Sequence, residues 1–450
     1  MTPDFSSLAA QIEGASFHRI SGHVSALSEA VVEVTGLNRH ARLGDRVVLT
    51  GATGAEVGGE VVTLSGSHIE VLPEARLEGF ALRDRAYFQG RSEVRPSEDW
   101  IGKVIDPFGR CHDGTIPAPG PTAYPLRGTP PSAITRKPLG HRLETGTAVF
   151  NTFLPLVRGQ RLGLFAGSGV GKSTLLGKLT RSVQADIAVV ALIGERGREV
   201  REFVDRTLGA DGMKRAIVVA ATSDQAPLLK RRAAWLAMSI AEYFRDLGGH
   251  VLFLTDSVTR FAEAHREVAL TAGEAPSMRG FPPSTGQMIM DLAERAGPGP
   301  EGKGDITGIF SVLVAGSDMD EPVADILRGV LDGHVVLSRE IAERGRFPAV
   351  DVLQSVSRSL PDAASAAENE LLQLARRTMG IYERSRLMIQ SGLYTQGSDA
   401  EIDAAITAHR ELEGFLARVE TGTAADSFEH LAQALRRAGV APQPQDPGAI

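Results

Sequence analysis

The run Ala166-Gly167-Ser168-Gly169-Val170-Gly171-Lys172-Ser173-Thr174 lies between the strand-like Arg161-Leu162-Gly163-Leu164-Phe165 and the helix-like Leu175-Leu176-Gly177-Lys178-Leu179. Glycines at this spacing let successive backbone N–H groups turn inward around phosphate oxygens. Lys172 supplies a point charge for β- and γ-phosphates, and the Ser173 hydroxyl at a helix N-terminus supplies a ligand for Mg²⁺. The first position is Ala166 rather than glycine, which the turn tolerates because its tight part depends on the later glycines. Residues 167–174 are therefore expected to cradle a nucleoside triphosphate, although the motif does not name the reaction.

Hydrolysis would further require a carboxylate for the metal and one for the attacking water. Val251-Leu252-Phe253-Leu254-Thr255-Asp256 reads as a buried strand ending in a carboxylate, the position of a Walker-B acid. Asp256 also precedes Ser257-Val258-Thr259-Arg260, so helix capping is the competing role. Glu195, in Gly194-Glu195-Arg196-Gly197-Arg198-Glu199, follows the strand Ile187-Ala188-Val189-Val190-Ala191-Leu192-Ile193. It is placed to polarise water. An ion pair with Arg196 or Arg198 is an equal alternative on spacing alone.

The elements needed to hold these groups are legible around them. From about 145 to 360, apolar strands alternate with helices, with strand candidates at 161–166, 187–193, 216–222, 250–255 and 306–315, as in a mostly parallel sheet covered on both faces. Upstream, from about 20 to 95, short β-branched runs punctuated by glycine predict a small β-barrel: Ala30–Val34, Arg46–Leu49, Glu60–Leu64 and Ile69–Leu72. Residues 115–138 carry Pro117, Pro119, Pro121, Pro125, Pro130, Pro131 and Pro138 and read as an extended connector. From 362 to 439 the chain turns rich in alanine, leucine, glutamate and arginine at helical spacing. At the start, Thr2 as cap, Pro3, the stripe Phe5, Leu8, Ala9 and Ile12, and the stop at Gly14 predict a short amphipathic helix. The tail from Ala441, with prolines at 442, 444 and 447, is expected to be loose.

Composition excludes several classes. The 450 residues, 42% hydrophobic and 23% charged, exceed what one core usually serves. The single cysteine, Cys111, permits no internal disulfide. The longest apolar runs fall far below the roughly 20 residues needed to span a bilayer, and the first 20 residues lack a basic start followed by an apolar core. A cytoplasmic location is the expectation. The net charge of −7 gives no electrostatic footprint for nucleic acid, and residues 1–95 hold nine arginines, no lysine and twelve acids. No nucleic-acid partner is expected.

Taken in order, GSGVGKST (167–174), GERGREV (194–200), VLFLTDSVTRFAEAHREVAL (251–270), RGFPPS (279–284), VVLSREIAERGRFPAVD (335–351) and SVSR (355–358) resemble the catalytic subunits of rotary ATP synthases. They are more similar still to the ATPases of flagellar and virulence-associated type III protein export. The resemblance runs from Gly22-His23-Val24, through IGKVIDPFGRCHDG (101–114), to GLYTQGSDAEIDAAI (392–406). It implies an α/β chain with a RecA-like P-loop ATPase core, an N-terminal β-barrel and a C-terminal helical domain. The implied spans are an N-terminal segment 1–19, barrel 20–95, ATPase domain with its connector 96–360, helical domain 361–440 and tail 441–450.

Position by position, the resemblance implies that Gly167, Ser168, Gly169, Val170, Gly171, Lys172, Ser173 and Thr174 bind ATP. Ser173 and Asp256 serve Mg²⁺, and Glu195 activates water with Arg196 beside it. Arg260 lies near the phosphates or in a neighbouring ion network. Phe347, where an aromatic ring, commonly tyrosine, is usual, stacks on adenine. Arg358 reaches as an arginine finger into the site of an adjoining copy, which implies a homohexameric ring. The implied partners are a regulatory or stator protein at the N-terminal segment, a central stalk protein, an export gate and chaperone–substrate complexes, with the enzyme peripheral at the cytoplasmic membrane face. The segment Pro282–Leu292 departs from the family, where PPSVF and a leucine-proline pair are usual, and this leaves its contacts open. Flagellar and virulence enzymes share all these motifs, and the flagellar group is expected only as the broader one. The competing readings are a proton-coupled rotary synthase subunit, an RNA-dependent hexameric translocase, and a nucleotide-holding subunit in which glutamine would typically replace Glu195.

Overall fold

Alternation of inward β-branched residues with outward polar ones closes the N-terminal part of the chain on itself. In the computed structural model, which describes residues 19–314 and 319–440, six strands form a closed barrel of order β1-β2-β5-β4-β3-β6. They are β1 (Ser21–Leu27), β2 (Val32–Thr35), β3 (Arg46–Thr50), β4 (Glu56–Leu64), β5 (His68–Pro73) and β6 (Arg85–Gly90). Val24, Val32, Val34, Val47, Leu49, Val61, Ile69, Val71 and Ala86 fill its interior, and closure leaves no edge strand to pair elsewhere. At Gly59 a Cβ would fall 2.5 Å from Val71 Cγ1 and 2.8 Å from the Leu72 carbonyl, so only glycine permits that approach of β4 to β5. β1 and β6, absent from the sequence-predicted strands, complete the ring. The N-terminal helix and the tail expected from the sequence lie outside the described residues.

The described chain divides into two compact units. One comprises the residues up to Glu93 with Ala226–Leu229 and Glu267–Ala275, and the other comprises the remainder. The second unit is built on a sheet of order β17-β16-β10-β15-β13-β11-β12-β8. Its members are β8 (Val104–Ile105), β10 (Arg161–Ala166), β11 (Ile187–Glu195), β12 (Ala216–Thr222), β13 (His250–Asp256), β15 (Asp305–Leu313), β16 (Gly333–Leu337) and β17 (Val350–Ser357). β14 (Gly297–Pro298) pairs beside β15, while β7 (Glu93–Val94) and β9 (Tyr124–Pro125) form a separate two-stranded ladder. The main strands pair in parallel, and the edge strand β17 is antiparallel to β16.

Strands buried on both faces carry apolar side chains at nearly every position, as Ile187–Ile193 and Val251–Leu254 do. One face packs against the helix Pro227–Asp246, through Trp235, Leu236, Met238 and Ile240. The other receives the helix Lys172–Ser182 and the C-terminal helices in a shared core.

Those C-terminal helices, Ala366–Gln390, Ala400–Leu416 and Ala424–Arg437, begin at strong caps. Ser365 and Thr423 each close a capping box with Glu368 and Asp426, and Asp399 accepts from the N–H groups of Glu401 and Ile402. Their apolar faces supply Leu371, Leu372, Leu412, Phe415, Phe428, Leu431 and Leu435 to the same core as the sheet. Buried polar links join the two layers: Asn151 donates to Ser427 Oγ at 3.1 Å, and Arg376 donates to the Val352 and Phe153 carbonyls.

Candidate active site

Parallel register brings the chemically competent groups to one end of the sheet. Ala166 pairs with Leu313, Leu192 with Asp256, and Thr255 with Phe310, so β10, β11, β13 and β15 finish side by side. The loop leaving β10 passes Gly169 and Gly171, both with positive φ (79° and 87°), and enters the helix Lys172–Ser182. Left-handed backbone at these two positions costs least for glycine. Buried Val170 anchors the loop below, whereas Ser168, Gly169, Ser173 and Thr174 face solvent. The free N–H groups and positive end of this helix suit an anion. From the neighbouring strand end, Arg339 donates to the Ser168 carbonyl at 3.3 Å and ties the loop down from the side.

Asp256, at the end of β13, is almost wholly buried. Its Oδ1 accepts from the Lys172 ammonium and, at 2.7 Å, from the Ser311 hydroxyl on β15. With the exposed Ser173 hydroxyl, Asp256 offers hard oxygen donors, the set Mg²⁺ prefers.

Glu195 ends β11 and is half-buried. Burial, the nearby charge of Asp256 and a hydrogen bond shared with Glu199 push its carboxyl up to about 7, against a downward pull from Lys172. Glu199 moves the opposite way, held low by that shared hydrogen bond and by Arg196. Of the pairings that the spacing allowed, the one with Arg196 is taken up by another carboxylate. Arg196 pairs with Glu199 at 3.3 Å, which leaves Glu195 next to a carboxylate that is held low.

Arg260 pairs with Glu263 at 2.8 Å, and its stem covers Gly194, where a Cβ would sit 3.1–3.3 Å from the Arg260 Cγ, Cβ and Cδ. Gly194 has φ of 72°, so this contact shapes the turn that presents Glu195. The Phe347 ring lies against the phosphate loop, 3.2 Å from where a Gly171 Cβ would be, with about half its surface exposed at 52%. An open aromatic face beside a phosphate loop is suited to a flat base.

Arg358 is not part of this constellation within one chain. Ser357 pairs with Gly333 at the start of β16, whereas Leu337 at the end of β16 pairs with Ala166, from which the phosphate loop springs. Two strand spacings and four residues of strand separate them, on the order of 15 Å. Arg358 is exposed, and its guanidinium donates to the Arg328 carbonyl at 3.1 Å.

Three contributors to the site were not singled out from sequence: Glu199, Ser311 and Arg339. Glu199 was visible as a second carboxylate four residues after Glu195. Ser311 and Arg339 arrive through sheet register, which no local pattern announces. Among the described residues, no helix is long and apolar enough to cross a membrane.

Comparison with known proteins bears on this geometry. Residues 146–357 match the ATP synthase alpha/beta family, nucleotide-binding domain, and residues 364–436 match the T3SS EscN ATPase C-terminal domain. The flagellum-specific ATP synthase of Caulobacter vibrioides is 43% identical over 440 residues, covering 96% of this chain and 99% of that protein. Among solved structures, the assembled ATPase EscN of the enteropathogenic E. coli type III secretion system superposes with a TM-score of 0.84 at 34% identity, covering 92% of this chain and all of that one. EscN in complex with its central stalk EscO gives 0.83 at the same identity and coverage.

Proposed function

The chain belongs to the flagellum-specific ATP synthase family of type III export ATPases, and from that membership we propose that it hydrolyses MgATP in a homohexameric ring, each site being completed by the adjoining copy's Arg358. In this reading Gly167–Thr174 hold the phosphates, with Lys172 on their charge. Ser173 and Asp256 hold Mg²⁺, which when bound offsets the phosphate charge. Glu195 takes the proton of the attacking water, with Arg196 beside it holding Glu199. Arg260 keeps the Gly194 turn in place, and Phe347 stacks on adenine.

The observation that carries the proposal is the position of Arg358. It sits exposed at the sheet end opposite its own phosphate loop, where its planar fork is available to another molecule's γ-phosphate. A head-to-tail ring of identical chains brings such complementary faces together. EscN has been seen assembled and with a central stalk, and we extend both features to this chain. The work done is flagellar protein export, with chaperone-bound substrates, an export gate, a stator protein and a peripheral position at the cytoplasmic membrane face as its setting.

Mixing two inactive variants tests the split site. Glu195→Gln and Arg358→Ala chains should each be inactive. In equal mixture about a quarter of interfaces regain an intact pair, so activity should recover to as much as that share of the parent rate. No recovery above the separate variants, with mixed rings verified by native mass measurement, would refute completion in trans.

A further inference from the structure

The outer wall of the barrel carries a second cluster with ligand chemistry. Strands β2 and β5 pair with Glu33 opposite Glu70 and Thr35 opposite His68, while Val32, Val34, Ile69 and Val71 point into the barrel. Glu33, His68 and Glu70 therefore share the outward face. One ligand atom from each lies within 4.8 Å of the others, and all three side chains are half-buried.

Two features set this trio apart from an ordinary polar surface. Like charges directly opposite each other on antiparallel strands destabilise the pairing, yet among the described residues neither the Glu33 nor the Glu70 carboxylate has an ion pair or hydrogen bond. The histidine ring, by contrast, is fixed. Ser65 Oγ lies 3.0 Å from His68 Nδ1, and Ser67 Oγ lies 3.1 Å from the same atom. The Ser65 hydroxyl proton goes to the His68 carbonyl at 2.9 Å, so toward the ring Ser65 accepts. In the tautomer in which Nδ1 donates to these hydroxyl oxygens, the lone pair is left on Nε2. A histidine whose far nitrogen donates to an oxygen is the usual support of a metal-ligating imidazole.

We propose that Glu33, Glu70 and His68 Nε2 form a site for a divalent transition ion of the Zn²⁺ class, clipping β2 to β5 on the barrel's outer face. One nitrogen and two carboxylate oxygens suit Zn²⁺ or Co²⁺ better than Mg²⁺, which takes oxygen donors in octahedral array. Ligands on one such ion stand about 3–4 Å apart, given bonds near 2 Å, and small side-chain rotations close the observed spread. The site is remote in sequence from every residue assigned to ATP, so its failure and that of the proposed function are separable.

Equilibrium dialysis of the full chain against Zn²⁺, without nucleotide and with excess Mg²⁺, tests it. The parent should bind one equivalent that His68→Gln or Glu33→Gln weakens more than about tenfold and Ser65→Ala by about tenfold. Co²⁺ should give a visible absorption band lost in the same variants. ATP turnover of all three should equal the parent's, which verifies their fold. Thermal melting supplies an independent sign. In EDTA, Glu33→Gln should melt higher than the parent because the opposed charges are relieved, and added Zn²⁺ should reverse that order. A parent that binds no Zn²⁺, or His68→Gln and Glu33→Gln chains that bind it as tightly as the parent, would overturn the site.

Discussion

Replacing Glu195 by glutamine should separate activity from stability, with opposite signs. The amide keeps the shape and can still donate to Glu199, but it cannot take a proton from water, so hydrolysis should fall by a factor of about 10² to 10⁴. Stability should rise. The carboxyl is pushed from an ordinary 4.5 up to about 7, chiefly by burial and then by the charge of Asp256. At pH 8 the folded protein must therefore hold an ionised group in a place that disfavours it.

The full shift corresponds to roughly 3 kcal/mol, and partial solvent access reduces this to about 1–2 kcal/mol. The sign follows from proton binding. Between 4.5 and about 7 the folded state holds a proton that the unfolded chain has lost, so the parent loses stability as pH rises through that window and is level above it. Guanidinium unfolding of dilute, nucleotide-free parent and variant at pH 4.5 and pH 8 reads the difference. The variant's gain should appear at pH 8 and vanish at pH 4.5. Equal stability at pH 8, or a gain independent of pH, would show that the site does not strain Glu195. Such a trade between stability and activity is common where a base is held in unfavourable surroundings.

Three further outcomes follow from the same geometry. Phe347→Ala should raise KM for ATP about three- to tenfold, the worth of one aromatic contact, with kcat little changed and Phe347→Tyr near the parent; steady-state kinetics at saturating Mg²⁺ decide this, and an unaltered KM would remove the stacking role. For the parent, kcat/KM should rise with pH through about 7 as Glu195 ionises. Glu199→Gln removes an upward push on Glu195 and should move that limb to lower pH, whereas an unmoved limb would dissociate the two carboxylates.

Much of the site was readable because its parts sit at strand ends, where a run of apolar residues stops at a glycine or a carboxylate. The phosphate loop, Asp256 and Glu195 all have that form. What could not be read depends on pairing distant in sequence. β1, with glycine, serine and histidine among its seven residues, and β6 have weak local strand character and form by closing the barrel. β17 completes the sheet edge as an antiparallel partner of β16, and its register is what carries Arg358 to the far end. Ser311 meets Asp256 only because β15 lies beside β13. The sharing of one core by the sheet and the C-terminal helices is likewise a matter of packing, since helical spacing at 362–439 shows an apolar face without its partner.

The contact between Lys172 and Asp256 has a consequence for what the pocket admits. There a cation and an anion, both largely shielded from solvent, satisfy each other, and neither is left facing an apolar wall. Bare ATP would draw Lys172 toward its phosphates and strand Asp256 against more negative charge. MgATP separates the same two groups while giving each a new counterpart. In the proposed site, selectivity for the metal-loaded nucleotide thus arises at the entrance step, before any bond is broken, from a single ionic latch that opens only to a guest bearing both signs of charge.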